Sequence, residues 1–314
     1  MTLSPLPAPL STLSGRPGNT PLMRVDFLDL PPDVELYAKL EWAQPGASVK
    51  ARPAFAILAA AIAAGTWKPG MHMLDATSGN TGIAYATFCQ AAGIPLTLCL
   101  PENASKERKE ILARLGVNVV LTSPYEGTDG AKEVALDLVL KTPGQYAYLD
   151  QYSNPANWRA HYETTAPEVL SQTRRRLTHF VAGLGTTGTF TGTGRRLREE
   201  LPGVRLIALQ PETALHGLEG WKHLETAAIP AIHDPSLADE VRTVATEDSF
   251  AMIRQAAAAG LGLSPSAAAN LAGTLAAARE HGPGVYVTVF ADDASKYSEV
   301  YDHLKIQRPQ RQKP

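Results

Sequence analysis

The feature that most narrows the folds open to this chain is its alternation of two kinds of segment. Short apolar runs rich in Val, Ile, Leu and Tyr, such as ELYAKL at 35–40, PLTLCL at 95–100, VNVVL at 117–121, VRLIAL at 204–209 and VYVTVF at 285–290, are separated by longer stretches with helical periodicity. Runs this short and this continuously apolar suit strands covered on both faces, and helical intervals suit crossover connections. The expected class is therefore α/β, with mostly parallel twisted sheets flanked by helices. Further strands are expected near 72–75, 146–149 and 179–182. Helices are expected over 53–64, 81–92, 105–115, 129–140, 188–201, 248–259 and 266–281. Residues 212–246, with Gly217, Gly220, Pro230 and Pro235, show little periodicity and read as a functional loop or a wrapping connection. The tail from Gln307 is expected to fray.

Composition sets the limits on function. The 314 residues correspond to two domains at about 150 residues each, and no low-complexity linker divides them, so the domains are expected to interleave. The polar stretch 150–157 is the best boundary. An apolar content of 44% with 19% charged residues provides for a packed core and argues against disorder. With 29 Lys+Arg against 31 Asp+Glu and no basic block, no nucleic-acid partner is expected. Cys89 and Cys99 form neither a disulfide framework nor a C-x-x-C pair, and the eight histidines lack the short spacings of a metal site, so no metal is expected. The start has no charged-then-apolar signal pattern, and the longest apolar run, 55–64, is too short to span a membrane. A cytoplasmic location is the default expectation.

Three polar clusters sit where strands run into helices. The first, VAGLGTTGT at 181–189, opens a helix, so its backbone N–H groups can converge on an anion at the positive end of the helix dipole. Gly183, Gly185 and Gly188 also match G-x-G-x-x-G, with Glu212 near the distance of a ribose-binding acid. The hydroxyls of Thr186, Thr187 and Thr189 favour a compact monophosphate over a dinucleotide; an unliganded glycine-rich turn is the plain alternative. The second cluster, TSGNTG at 77–82, carries more hydroxyl and amide groups than a helix cap needs and could bind a small carboxylate. In the third, QPGASVKARP at 44–53, Lys50 stands at the turn into a helix, where the dipole disfavours an ammonium. Alone it reads as a solvated lysine. Together the three supply the anchors that a Schiff-base pyridoxal phosphate enzyme needs: an amine, a carboxylate loop and a phosphate loop.

On these motifs the chain resembles the fold-type II pyridoxal-phosphate enzymes, specifically the cysteine synthases (O-acetylserine sulfhydrylases) and, within them, the cysteine synthase B branch. The resemblance runs from GNTPL at 18–22 through PGASVKARPA, TSGNTG, LPENAS at 100–105, DQYSNPANW at 150–158, HYETTAPEV at 161–169 and the glycine–threonine segment at 178–195, to about Tyr297. It implies two interleaved domains with the cofactor in the cleft between them: a smaller, mobile domain over 41–154, and a larger phosphate-binding domain made of 1–40 plus 155–314. It implies that Lys50 forms the internal aldimine and acts as the catalytic base, and that Asn80 bonds the ring oxygen. Gly185, Thr186, Thr187, Gly188 and Thr189 would hold the phosphate, and Ser264 would face the pyridine nitrogen. Thr77, Ser78, Gly79, Thr81 and Gln151 would bind the substrate, with Lys222 a further candidate for an O-phosphoserine phosphate. A neutral hydroxyl opposite the ring nitrogen makes a weaker electron sink than a carboxylate would and favours β-elimination over transamination. On its own, Ser264 reads as a helix cap.

The implied reaction is a β-replacement that makes L-cysteine from an activated serine and a sulfur nucleophile through an aminoacrylate. O-acetyl-L-serine is favoured as substrate, with O-phospho-L-serine the variant. Domain closure would keep water from the intermediate. A homodimer is implied, and sulfide, thiosulfate or a sulfur-carrier protein could supply the sulfur. The sequence departs from the family pattern at Ala51 (usually aspartate), at Pro265 within Ser264-Pro265-Ser266 (usually S-S-G), and at Lys296-Tyr297-Ser298-Glu299-Val300 (usually R-Y-L-S-T). The competing readings are a cystathionine β-synthase-type or other β-replacement or β-elimination lyase, a catalytically altered regulatory relative, and an NAD(P)-dependent oxidoreductase. The oxidoreductase reading leaves Lys50 and the 77–82 loop without a task.

Overall fold

The computed structural model describes residues 10, 16–77 and 79–309. In chain order the strands are β1 (Leu22–Arg24), β2 (Val34–Leu40), β3 (His72–Ala76), β4 (Leu96–Pro101), β5 (Asn118–Thr122), β6 (Tyr146–Tyr148), β7 (His179–Gly183), β8 (Arg205–Pro211), β9 (Glu240–Val244) and β10 (Gly284–Phe290). The helices are α1 (Ala51–Ala63), α2 (Asn80–Ala92), α3 (Lys106–Arg114), α4 (Gly127–Lys141), α5 (Pro155–Ala160), α6 (Ala166–Gln172), α7 (Gly188–Glu200), α8 (Thr246–Ala258), α9 (Pro265–His281) and α10 (Ser298–His303). A π-helical turn, His161–Thr165, joins α5 to α6. Among the described residues no helix is long and apolar enough to cross a membrane.

Two compact units divide the chain: Met1–Pro17 with Lys50–Asn157, and Gly18–Val49 with Trp158–Pro314. The first holds a parallel sheet in the order β5-β4-β3-β6. β4 is buried along its whole length, as a central strand covered on both faces must be. Side chains alternate across the sheet. Met73, Leu96, Leu98 and Leu100 pack with Phe55 and Leu58 of α1 and with Ile83, Tyr85 and Phe88 of α2, and Leu10 joins the same cluster. Leu74, Ala76 and Cys99 face the other way, onto Ala131 and Ala135 of α4. Each such buried Leu or Phe contributes about 1.5–3 kcal/mol. Cys89 and Cys99 are buried and free.

The second unit holds a sheet in the order β1-β2-β10-β7-β8-β9, parallel except for the β1–β2 pair. One face, carrying Leu36, Val181, Ile207, Leu209, Tyr286 and Phe290, packs against α8 and α9. The other, carrying Phe180, Ala182, Leu206, Ala208, Val287 and Val289, packs against α6 and α7.

Several expectations need adjustment. Residues 41–49, assigned on sequence to the smaller domain, group with the second unit: Glu41 N–H donates to Phe290 O at 3.0 Å and Val49 N–H to Ala291 O at 2.7 Å. Leu10, Arg16 and Pro17, the described residues of that stretch, group with the first unit rather than the second. The region 212–246 is not irregular throughout, because it ends in β9, an edge strand whose charged Glu240 and Arg242 hide its strand character. The helical stretch 155–172 was not expected, since its prolines and threonines have low helix propensity; Pro155 and Pro167 stand in first turns, where a missing N–H costs nothing. Of the tail, 310–314 lie outside the described residues.

Candidate active site

In the second unit, β7 ends at Gly183, whose N–H donates to Asn270 Oδ1 at 2.8 Å, while Asn270 Nδ2 donates to Val289 O at 2.7 Å. The chain then turns through 184–187 into α7. Thr187 caps that helix in the left-handed region, φ 68°, unusual for a β-branched residue. Its Oγ1 is buried and has no hydrogen-bond partner among the described residues. The first N–H groups of α7 have no intrahelical acceptor, so the turn presents donors at the positive helix end.

The glycines here are needed for space. A Cβ on Gly183 would lie 2.0 Å from Trp221 Cε2, and one on Gly185 would lie 2.0 Å from Gly220 O. The segment around Trp221 is therefore pressed onto the turn, and Lys222 N–H donates to Leu184 O at 2.8 Å. One turn along α7, a Cβ on Gly192 would lie 1.9 Å from Trp158 O, which brings the π-helical turn close. His161, buried there, reaches Thr189 Oγ1 with Nε2 at 3.3 Å and Thr165 Oγ1 with Nδ1 at 2.9 Å. HYETTAPEV at 161–169 carries part of the family resemblance, but neither His161 nor Asn270 stands out in its own segment. The available signal was glycine recurring at 188 and 192, one helical turn apart.

In the first unit, Lys50 is the N-cap residue of α1. The turn before it, Pro45–Ala47, has positive φ at Gly46 and Ala47. That turn is pinned in the second unit by Lys296, whose Nζ donates to Ala47 O at 3.1 Å and lies 3.2 Å from Asp292 Oδ2. Tyr297 Oη donates to the same carboxylate oxygen at 2.9 Å. The lysine found where the family pattern has arginine thus holds a buried carboxylate and a backbone carbonyl together.

The 77–82 loop follows β3. Ser78 lies outside the described residues. Thr77 Oγ1 accepts from Gly79 N–H at 3.1 Å and Gly82 N–H at 3.2 Å, so one hydroxyl organises the loop and starts α2, with Asn80 as its first residue. A Cβ on Gly79 would lie 2.6 Å from Arg108 Nε. Arg108, a buried guanidinium on α3, therefore stands directly behind the loop; it looked like an ordinary helix charge in the sequence. Thr81 Oγ1 donates to Gln151 Oε1 at 2.7 Å, and Gln151 Nε2 donates to Ala76 O at 2.8 Å. Thr77, Gly79, Thr81 and Gln151 are thus brought together across 70 residues of chain.

Ser264 is fully buried and caps α9, its Oγ accepting from Ala267 N–H at 3.1 Å and lying 3.3 Å from Ser266 Oγ. Pro265 occupies the first helical position, where its fixed φ suits the helix and no N–H is needed. Capping uses Ser264 as an acceptor and leaves its proton to be donated. One group of possible metal ligands, Glu240, Glu280 and His281, is present among the described residues. It reads as an ion-pair network, since Arg242 Nη2 meets Glu280 at 2.5 Å and Arg205 Nη2 meets Glu240 at 3.2 Å.

The family model for "Pyridoxal-phosphate dependent enzyme" matches residues 13–292. The chain is 48% identical over 290 residues to a cysteine synthase of Aquifex aeolicus, covering 89% of this chain and 88% of that one. It is 36% identical over 291 residues to cysteine synthase B of Escherichia coli, covering 92% and 94%. Among solved structures, the cysteine synthase of Entamoeba histolytica superposes with a TM-score of 0.86 at 29% identity, covering 94% of this chain and 91% of that one. Strand-to-helix turns rich in glycine and threonine, a lysine at a helix entrance and a match running through nearly the whole sequence lead to one assignment: this chain belongs to the pyridoxal-phosphate dependent enzymes.

Proposed function

We propose that the chain is a pyridoxal-phosphate dependent cysteine synthase that makes L-cysteine from an activated serine, O-acetyl-L-serine, and a sulfur nucleophile. The observation that carries this reading is the 185–189 turn. Gly185 has no room for a side chain, the Thr187 hydroxyl is buried and unpartnered among the described residues, and the α7 N–H groups open onto the same turn. That donor set fits a compact dianion such as the cofactor's phosphate. The bound cofactor supplies an electron sink that makes the substrate Cα proton removable and the β leaving group expellable.

The protein's own residues do the rest. Gly185, Thr186, Thr187, Gly188 and Thr189 hold the phosphate, with His161 orienting Thr189. Lys50 Nζ would tether the cofactor and, when free, would serve as the base that takes the Cα proton and returns it. Thr77, Ser78, Gly79, Thr81 and Gln151 bind the substrate carboxylate by hydroxyl, amide and backbone donors, and Asn80 meets the ring oxygen. Ser264, whose Oγ accepts from Ala267 N–H, would have its hydroxyl proton free to donate to the ring nitrogen, which would keep the ring uncharged. Closure of the smaller domain would exclude water while the β carbon is reactive.

The test is direct. The purified protein should show a visible absorption band removed by borohydride and should convert O-acetylserine and sulfide to cysteine. Lys50→Ala should lose both properties, and persistence of either would overturn the assignment of Lys50. O-phospho-L-serine is a second candidate substrate because the backbone bond from Lys222 to Leu184 keeps residue 222 beside the anion turn. Lys222→Met should then raise KM for O-phosphoserine and leave KM for O-acetylserine unchanged. The same reading makes the protein a cytoplasmic homodimer, which light scattering of the purified protein tests for the oligomer. It also leaves a sulfur-carrier protein as a possible donor, to be compared with sulfide in the same assay.

A further inference from the structure

Asp75 lies on β3, two residues before the carboxylate loop, and is fully buried. Its Oδ1 accepts from Ala76 N–H at 2.8 Å and its Oδ2 from Gln151 N–H at 3.3 Å. Gln151 is held at every other polar atom as well: Thr81 donates to its Oε1 at 2.7 Å, its Nε2 donates to Ala76 O at 2.8 Å, and its carbonyl accepts from Asn157 Nδ2 at 2.6 Å. Asp75 is the one ionisable member of this set. We infer that Asp75 is a positioning residue for the substrate-carboxylate site: charged, it clamps the Gln151 backbone to the end of β3, and protonated, it releases that clamp, so carboxylate recognition is proton-linked.

This inference rests on the proposed role of the 77–82 loop and Gln151. A carboxylate accepts from both N–H groups at full strength, whereas a carboxylic acid carries a proton of its own and is a weaker acceptor. Burial pushes the Asp75 carboxyl up to about 7, so it changes charge near neutrality. The Asp150 carboxylate, on the segment after β6, adds to that rise, while the Ala76 and Gln151 N–H groups oppose it. The Tyr85 hydroxyl on α2, buried and with no hydrogen-bond partner among the described residues, is close enough to favour the charged form as well. Burial holds the remaining neighbours protonated: Cys99 of β4 is raised to about 11, Cys89 of α2 and Tyr152 to about 12, and Tyr85 and Tyr148 of β6 lie further above their usual value. Asp75 is therefore the group in this cluster that titrates near neutral pH.

The experiment compares holoenzyme with Asp75→Asn, in which a neutral amide replaces the protonated acid at equal size. KM for O-acetylserine is measured from about pH 5 to about pH 9, on either side of about 7. Titration of the substrate amine is common to both proteins and cancels in the ratio of their KM values. That ratio should be about fivefold above pH 8, the loss of one hydrogen bond, and should approach one below pH 6, with kcat ratios flat. A pH-independent ratio would overturn the inference while leaving the cysteine synthase reading intact. Absence of turnover in the wild type would overturn that reading instead. The clamp is then decided by hydrogen exchange at the Gln151 amide, which should slow above about pH 7 in wild type, after correction for intrinsic rates, and not in Asp75→Asn. If Asp75→Asn does not fold, Tyr85→Phe removes a group that favours the charged form, so the midpoint should move upward; an unmoved midpoint would refute the mechanism.

Discussion

Gly185 illustrates how a single position is constrained by its neighbour across space. Its φ is not left-handed, so a larger residue is excluded by the Gly220 carbonyl, 2.0 Å from where a Cβ would stand. Gly185→Ala should displace the turn, weakening cofactor affinity at least about tenfold in an absorbance titration and costing about 1–3 kcal/mol of stability in urea unfolding. Ser264→Ala should cost about 1 kcal/mol through loss of the α9 cap, seen in the same unfolding assay, and, on its proposed role opposite the ring nitrogen, should shift the cofactor's absorption maximum. Positions such as Thr77 and Gly185 stand out in the sequence because glycines and hydroxyls cluster at strand-to-helix junctions, whereas Lys50 alone reads as a solvated lysine and stands out only beside the other two motifs. Asp75, Arg108, His161 and Asn270 do not stand out. Each is an ordinary residue in its own segment and acquires a role only from partners brought to it by the fold, as Gln151 is to Asp75 across 76 residues.

α7 carries glycines at 188, 192 and 194, which would weaken an isolated helix by about 1 kcal/mol each. Their return is close approach: the helix packs against the carbonyl of Trp158, and the neighbouring turn sets His161 against Thr189. Gly192→Ala, a stabilising change by propensity alone, should therefore destabilise the protein by about 1–3 kcal/mol and reduce cofactor retention on dialysis. Buried strands such as β4 and β10 were legible because they are continuously apolar. β1 and β9 were not, since an edge strand with one wet face needs neither length nor a full apolar run. The helical run from Pro155 through α6 was hidden by residues chosen for capping and for the π-helical turn rather than for propensity.

Across the molecule, stability should depend on pH through groups remote from the site. His179 stacks between Tyr286, with centroids 4.1 Å apart, and His281, at 5.8 Å. Burial, with His281 and Arg205 nearby, lowers its pKa from 6.5 to about 4. The folded state therefore resists protonation that the unfolded chain accepts. This contribution is complete above 6.5 and is lost as pH falls towards 4. His179→Phe should flatten the stability curve over that range by about 1–2 kcal/mol, a figure discounted for its half-exposed ring. Lys39→Met should act at all pH values: Lys39 is fully buried, its Nζ lies 2.6 Å from Glu168 Oε2, and removing it takes the ammonium from a carboxylate that keeps the Asn19 N–H at 2.9 Å, at a cost of about 3 kcal/mol in urea.

The pairing of β2 with β10 also governs how the protein is made. Val34–Leu40 has one parallel partner in its sheet, Gly284–Phe290, encoded roughly 240 codons downstream. At about 5–20 residues per second, a ribosome delivers that partner about 12–50 s after the early strand has emerged. The strands of the other sheet, from His72 to Tyr148, arrive as one uninterrupted block and can assemble during that wait. Premature termination before residue 284 would leave VELYAKL without its parallel partner, a sticky segment that chaperones or proteases would have to clear.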